Sequence, residues 1–355
     1  MSMNAPLSII DEEEGEVYLE DGEIPGEGWD QPGDGIPLTR DIIRFGLSRI
    51  ARTLDTFEFA YSRFDCRKKN ICNIDALSKY VHLRIVDLGE NKIKTCLPIA
   101  SIQNLLLLNM ESNLIESLAD VPDFPFLQAL CLRRNKISSS DGLFPNCLAY
   151  LQLADNYLEE VYGLTSDITP WLTVLELKGN KLKSLAGIDL PQLQRIYVAY
   201  NQLTDLKGLD GCPNLTHLHA RNNNISHLED FPAFEKLEYV NLRANDLRRY
   251  TQMILLGNAQ NIRTLILKDN PIYALADYRI EALAANQNVR RLDKDPVLET
   301  DLAESRHLRN GRERGHLPGV VDDPNLILDS NSVLDLDETP ADAVEDYEWL
   351  ENSEN

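Results

Sequence analysis

Neither end of this 355-residue chain contains a lysine or an arginine: residues 1–36 hold eleven acids and no basic residue, and residues 321–355 hold twelve acids and none. The whole chain has 57 Asp and Glu against 35 Lys and Arg, a formal charge of −22, so the interior keeps 34 acids against all 35 basic residues. A near-neutral body with two acidic ends lacks the basic excess that neutralising phosphates requires, which argues against nucleic acid as a partner. No apolar run approaches the roughly 18 residues of a membrane helix, so no membrane contact is expected. Met1 to Glu16 shows no basic stretch followed by an apolar one, so no secretory signal is expected either. The six cysteines are scattered, with no Cys-x-x-Cys pair and no histidine partner at zinc spacing, which leaves neither a disulfide framework nor a structural zinc site. Neither G-x-x-x-x-G-K-S/T nor G-x-G-x-x-G occurs, and no Ser/His/Asp or Cys/His set stands out. The expectation is a soluble, intracellular protein that is not an enzyme and takes no cofactor, metal or small-molecule substrate.

What the chain does have is a period. The template L-x-x-L-x-L-x-x-N-x-L fits nine successive stretches. The first is Leu83, Val86, Leu88, Asn91 and Ile93; the last is Ile262, Leu265, Leu267, Asn270 and Ile272. The template asparagines (91, 113, 135, 156, 180, 201, 223, 245 and 270) are 21 to 25 residues apart. A degenerate tenth repeat precedes them, with Tyr61, Phe64, Cys66 and Ile71 in the apolar slots and Lys69 in place of the asparagine. In an x-L-x-L-x strand the leucines enter the core and the intervening residues face solvent. Stacked repeats then form a parallel ladder, an α/β leucine-rich repeat solenoid with a concave β face. An amide at each turn can satisfy the backbone groups exposed there, so the asparagines read as scaffold. Solenoids need sealed ends. Thr39 is a candidate N-cap for a capping helix through Ile42, Ile43, Phe45, Leu47, Ile50 and Leu54, and a second helical stretch follows Tyr278.

The register also predicts the concave surface. One column of solvent-facing positions contains Arg195, His217 and Tyr239; the next contains Cys131, Tyr197, His219 and Asn241; a third reads Arg133, Lys178, Arg221, Arg243 and Lys268, basic over most of its length. Tyr and Arg dominate interface hot spots, so these residues, Cys131 apart, are the candidate partner-binding site, with an acidic segment as the expected occupant. His217 and His219 face the same way on one strand but have no third ligand beside them, so a metal is not expected. The acidic ends carry Trp29 and Trp349 among other apolar residues, a composition that suits docking to partners.

Several stretches carry a resemblance. They are Pro37-Leu38-Thr39-x-Asp41 with Gly46-Leu47-Ser48; Tyr80-x-His82-Leu83-Arg84-x-Val86-Asp87; Gly187-Ile188-x-Leu190-Pro191-x-Leu193; and Asp277-Tyr278-Arg279 with Arg291-Leu292-Asp293-Lys294. Over residues 37–296 the chain resembles the leucine-rich repeat-containing protein 23 family, within the 22-residue class of intracellular leucine-rich repeats. The resemblance implies a non-catalytic scaffold subunit of the radial spoke in the axoneme of cilia and flagella, part of the cytoskeleton within the cytoplasm. It also implies other radial spoke proteins as partners. It stops at the tails: the family ends in a Glu/Lys/Arg-rich helical segment, whereas Arg306, Arg309, Arg312 and Arg314 here precede an Asp-rich end. Two alternatives stay open, a regulatory subunit of a phosphatase or dynein motor, and a nuclear acidic repeat protein. The expected organisation is an acidic Gly/Pro-rich tail (1–36), a capping helix (37–60), about ten repeats (61–276), a C-terminal cap (277–300), and a basic stretch followed by an acidic tail (301–355).

Overall fold

The computed structural model describes residues 35–53, 58–143 and 147–313. Nine three-residue strands occupy the predicted positions: β5 (Ile85–Asp87), β6 (Leu107–Asn109), β7 (Ala129–Cys131), β8 (Tyr150–Gln152), β9 (Val174–Glu176), β10 (Arg195–Tyr197), β11 (His217–His219), β12 (Tyr239–Asn241) and β13 (Thr264–Ile266). They pair in parallel and in sequence order, each middle residue buried. With β2 (Leu47–Arg52) and β3 (Phe59–Asp65) at one end, and β14 (Arg291–Leu292) and β15 (Asp295–Pro296) at the other, they make one 13-stranded sheet. Among the described residues only the outermost pairs, β2–β3 and β14–β15, are antiparallel. A separate parallel pair joins β1 (Ile36–Pro37) to β4 (Ile71–Asn73).

The asparagines form the spine. Asn113 accepts from Ile93 N (3.0 Å) and donates to the Leu88 and Met110 carbonyls (both 3.0 Å). Asn135 donates to that same Met110 carbonyl (2.9 Å), so each such carbonyl is shared by two rungs. At the start, the amides of Lys69 and Ile71 donate to Asn91, which explains how Lys69 stands in the template without breaking the column. At the far end, Asp293 accepts from Leu267 N (2.6 Å), Lys268 N (2.7 Å) and the Tyr278 hydroxyl (2.6 Å).

Both ends differ from the sequence expectation. Thr39 does cap α1 (Arg40–Gly46), its hydroxyl accepting from Ile42 N. The helix stops at Gly46, however, and Leu47 onward is strand. A Cβ at Gly46 would come within 2.4 Å of the Asp65 carbonyl oxygen, so the close approach that seats the hairpin ends the helix. Tyr61, placed in an apolar slot by the template, is 45% exposed because β3 extends beyond the repeat pattern. Two further helices lie near the other end: α2 (Tyr250–Leu256), which fills the long spacing between Asn245 and Asn270, and α3 (Tyr278–Ala285). Residues 301–313, read as tail, belong to α4 (Glu299–Glu313), which packs on α3. Arg312 makes a two-pronged contact with Glu281, and Arg279 pairs with Asp301 (2.8 Å). The cap therefore runs to Glu313.

Candidate functional site

Residues 195, 217 and 239 are cross-strand neighbours, as are 197, 219 and 241, so the six side chains of three successive repeats form one block on the open sheet face. Four of them are rings, and the rings stack. Tyr197 and His219 lie 4.5 Å apart at 21°, His219 and Tyr239 4.5 Å apart at 27°, and His217 and Tyr239 5.7 Å apart at 18°. Offset stacks of this kind add to the burial energy of each ring and hold it in one rotamer. The Thr216 hydroxyl donates to the Gln194 carbonyl (2.8 Å) and so accepts from Nδ1 of His217 (2.9 Å), which fixes that ring's tautomer and leaves Nε2 as the acceptor. Burial pushes the His217 proton affinity down, reinforced by Arg195. For His219, burial, then His217, Arg221 and Arg195 carry the pKa down to about 3, so the stacked ring is neutral at physiological pH. Burial likewise raises the Tyr197 phenol, opposed by Arg195. The block therefore presents aromatic surface with Arg195 as its flanking charge.

Asn241 leaves the list of candidate contacts. It is 2% exposed, and its Oδ1 accepts from Arg243 N (3.1 Å), so the amide is spent on its own turn. The third column needs a larger correction. Arg133 pairs with Asp155 (2.8 Å) and Arg243 with Asp269 (2.6 Å), while Lys178 and Arg221 both lie over the Tyr200 ring, 5.4 and 5.2 Å from its centre. Arg67, the equivalent residue of the first repeat, pairs with Glu90 (2.9 Å). Asp155, Tyr200, Asp269 and Glu90 share one place: each is the left-handed turn residue immediately before a ladder asparagine, with φ between 55° and 63°. The column's cations are thus partnered by residues that the register had assigned no role. Lys268 stays exposed. The face is a mosaic and not a basic stripe. Toward the first repeats it is acidic, with Asp87, Glu90 and Glu111 around Arg67. In its middle, Glu176 accepts from the Tyr150 hydroxyl (2.7 Å) and Gln152 (2.8 Å).

Cys131 sits between these acids, and burial together with Glu176, Glu111 and Asp87 pushes its thiol up to about 12, far from a reactive thiolate. Among the described residues no three His, Cys, Asp or Glu side chains converge as a metal would need, and no helix is long and apolar enough to cross a membrane. Trp29 and Trp349 lie outside the described residues.

Comparison with known proteins agrees with the repeat register. Residues 170–211 match the model for Leucine Rich repeats (2 copies). The chain is 34% identical over 274 residues to leucine-rich repeat-containing protein 23 of Bos taurus, covering 77% of this chain and 80% of the relative. It is 35% identical over 298 residues to the Mus musculus protein of that name, covering 84% and 86%. With the Xenopus tropicalis protein the identity is 32% over 283 residues, covering 79% and 81%.

Proposed function

The chain belongs to the leucine-rich repeat-containing protein 23 family, and from that premise we propose that it is a non-catalytic docking subunit of the radial spoke in the ciliary or flagellar axoneme. The solenoid supplies a rigid surface for protein recognition; the spoke assignment rests on the family resemblance. The observation that carries the docking role is the stacked block of Tyr197, His219, Tyr239 and His217 beside Arg195 and Arg221. Rings held in single rotamers lose little conformational entropy when a partner covers them, and Tyr with Arg is the composition of interface hot spots. Because most cations of the neighbouring column already have partners, the preferred occupant is an extended segment that covers the rings with apolar or aromatic side chains and offers a carboxylate to Arg195.

The test returns the full chain, wild type or with Tyr239→Ala and Arg195→Glu, to axonemes lacking the protein. The wild type should be retained through salt and detergent extraction and restore the spokes, whereas the folded variant should wash out. Intact spokes in the axonemes that lack the protein would refute the spoke assignment. Retention of the variant at wild-type level would refute the use of this face.

A further inference from the structure

The two edges of the sheet are finished differently. At the C-terminal edge β15 is two residues long and contains Pro296, whose carbonyl accepts from Arg279 of α3 (2.8 Å). A short edge with proline is how sheets prevent further pairing. At the N-terminal edge β2 is six residues long, contains no proline, and has no strand beyond it among the described residues.

The surface around β2 is apolar where a cap is expected to be polar. Ile50 pairs with Tyr61 and Arg52 with Phe59, and all four lie on the pleat opposite buried Phe64, the face that continues the concave side. Ile50 is 64% exposed, Phe59 77% and Tyr61 45%. Clustered exposure of this kind marks a binding surface. The local charge is positive on a near-neutral body: residues 40–52 hold Arg40, Arg44, Arg49 and Arg52 against the single acid Asp41. On the other pleat Ala51, Ala60, Ser62, His82 and Arg84 line part of a cleft of about 120 Å³. Arg49 adopts φ 52°, with the Ser62 hydroxyl donating to its carbonyl (2.7 Å), a costly conformation for a side-chain-bearing residue in a strand.

We propose that β2 accepts a further strand from a partner protein: an extended, acidic segment in which apolar residues alternate with carboxylates. Its apolar side chains continue the row of Ile50 and Tyr61, its alternate carboxylates fall on the other pleat with Arg49, and a carboxylate at the end of the apolar row meets Arg52. Main-chain pairing supplies affinity in such strand addition, and the alternating side chains supply selectivity. A second copy of this chain is the poorer occupant, because two antiparallel copies of Leu-Ser-Arg-Ile-Ala-Arg would bring arginines together without an acid.

The experiment selects binders for the full-length chain from a random peptide display library and maps them by hydrogen exchange. The expected peptides alternate acidic with aliphatic or aromatic residues, slow exchange at the Leu47–Arg52 amides, and lose about tenfold in affinity on Arg49→Glu with Arg52→Glu or at raised salt. Both arginines are at the surface, and the unfolding midpoint of the double variant reports whether its fold is kept; exchange on the wild type reads the site without any variant. Three results overturn the proposal. Selection yields no peptide or basic ones; the peptides bind without protecting β2; or sedimentation shows a dimer that Ile50→Asp dissociates, which makes a second copy the occupant.

Discussion

Replacing one rung of the asparagine ladder tests the account of what holds the repeats together. Asn223 accepts from Leu203 N (3.1 Å) and donates to the carbonyls of Val198 (3.0 Å), Ala220 (3.1 Å) and Arg221 (3.3 Å). Two of these carbonyls have a second donor: Val198 O also receives Asn201 (3.1 Å), and Ala220 O also receives Asn245 (3.0 Å). Asn223→Ala therefore orphans chiefly the buried Leu203 amide, at about 1–3 kcal/mol, and removes two or three shared bonds worth about 0.5–1 kcal/mol each. The expected destabilisation is about 3 kcal/mol, or about 2 kcal/mol where a water enters in place of the amide. Asn223→Asp separates acceptor from donor. It keeps an oxygen for Leu203 but turns a second one toward the Val198 and Ala220 carbonyls, so at neutral pH it should cost more than alanine, and acidification should restore part of the loss by protonating it. Urea unfolding gives the energy, and hydrogen exchange at the Leu203 amide gives the location. A cost below about 1 kcal/mol for alanine, or an aspartate variant as stable as wild type at neutral pH, would show that the leucine packing carries the repeats and the ladder is incidental.

The neutral His219 gives a pH dependence of defined sign. Its folded pKa of about 3 lies below the unfolded value of about 6.5, so the unfolded chain binds the extra proton and stability falls as pH drops from 6.5 toward 3. By pH 5 the loss is about 1–2 kcal/mol after allowance for the ring's partial contact with water. His219→Phe, which keeps the stack, should flatten that part of the curve, and identical pH profiles for variant and wild type would contradict the assignment. Arg312→Ala should release α4 from α3 at a cost of about 1–3 kcal/mol, because Glu281 loses a two-pronged partner while remaining largely buried. Hydrogen exchange should then rise over residues 299–313 while the strands stay protected; unchanged exchange there means that the helix is held by something else.

What could be read from the sequence, and what could not, divides along contact distance. The strands, their register and the ladder were legible because each repeat restates the same local rule, so an error in one repeat is corrected by its neighbours. Thr39 was legible because capping is a three-residue event. The end of α1 was not. Ile42, Ile43, Phe45, Leu47 and Ile50 fit a helical stripe as well as a helix followed by a strand, and the deciding contact is between Gly46 and the Asp65 carbonyl. The docking of α4 depends on Arg312 meeting Glu281, 31 residues away, a separation that belongs to no local pattern.

The candidate site shows the same division within a single repeat. Tyr197, His217, His219 and Tyr239 follow from strand alternation alone, and they stack as neighbours of that register must. The charge of the adjoining column did not follow, because Arg67, Arg133, Lys178 and Arg243 each answer to a residue of the next repeat, and Arg221 to Tyr200 of the preceding one. Yet the signal was present in the chain. The residue before each ladder asparagine is Glu90, Asp155, Tyr200 or Asp269 wherever the preceding repeat offers Arg67, Arg133, Lys178 or Arg243. Reading columns on the strand while leaving the turn unread exaggerates charge by counting only one side of each pair. For a solenoid, then, the electrostatic unit is one repeat's strand together with the next repeat's turn. By that measure the charges of the concave face are largely paired and its distinguishing feature is the block of stacked rings, while residues 40–52 hold four arginines against one acid.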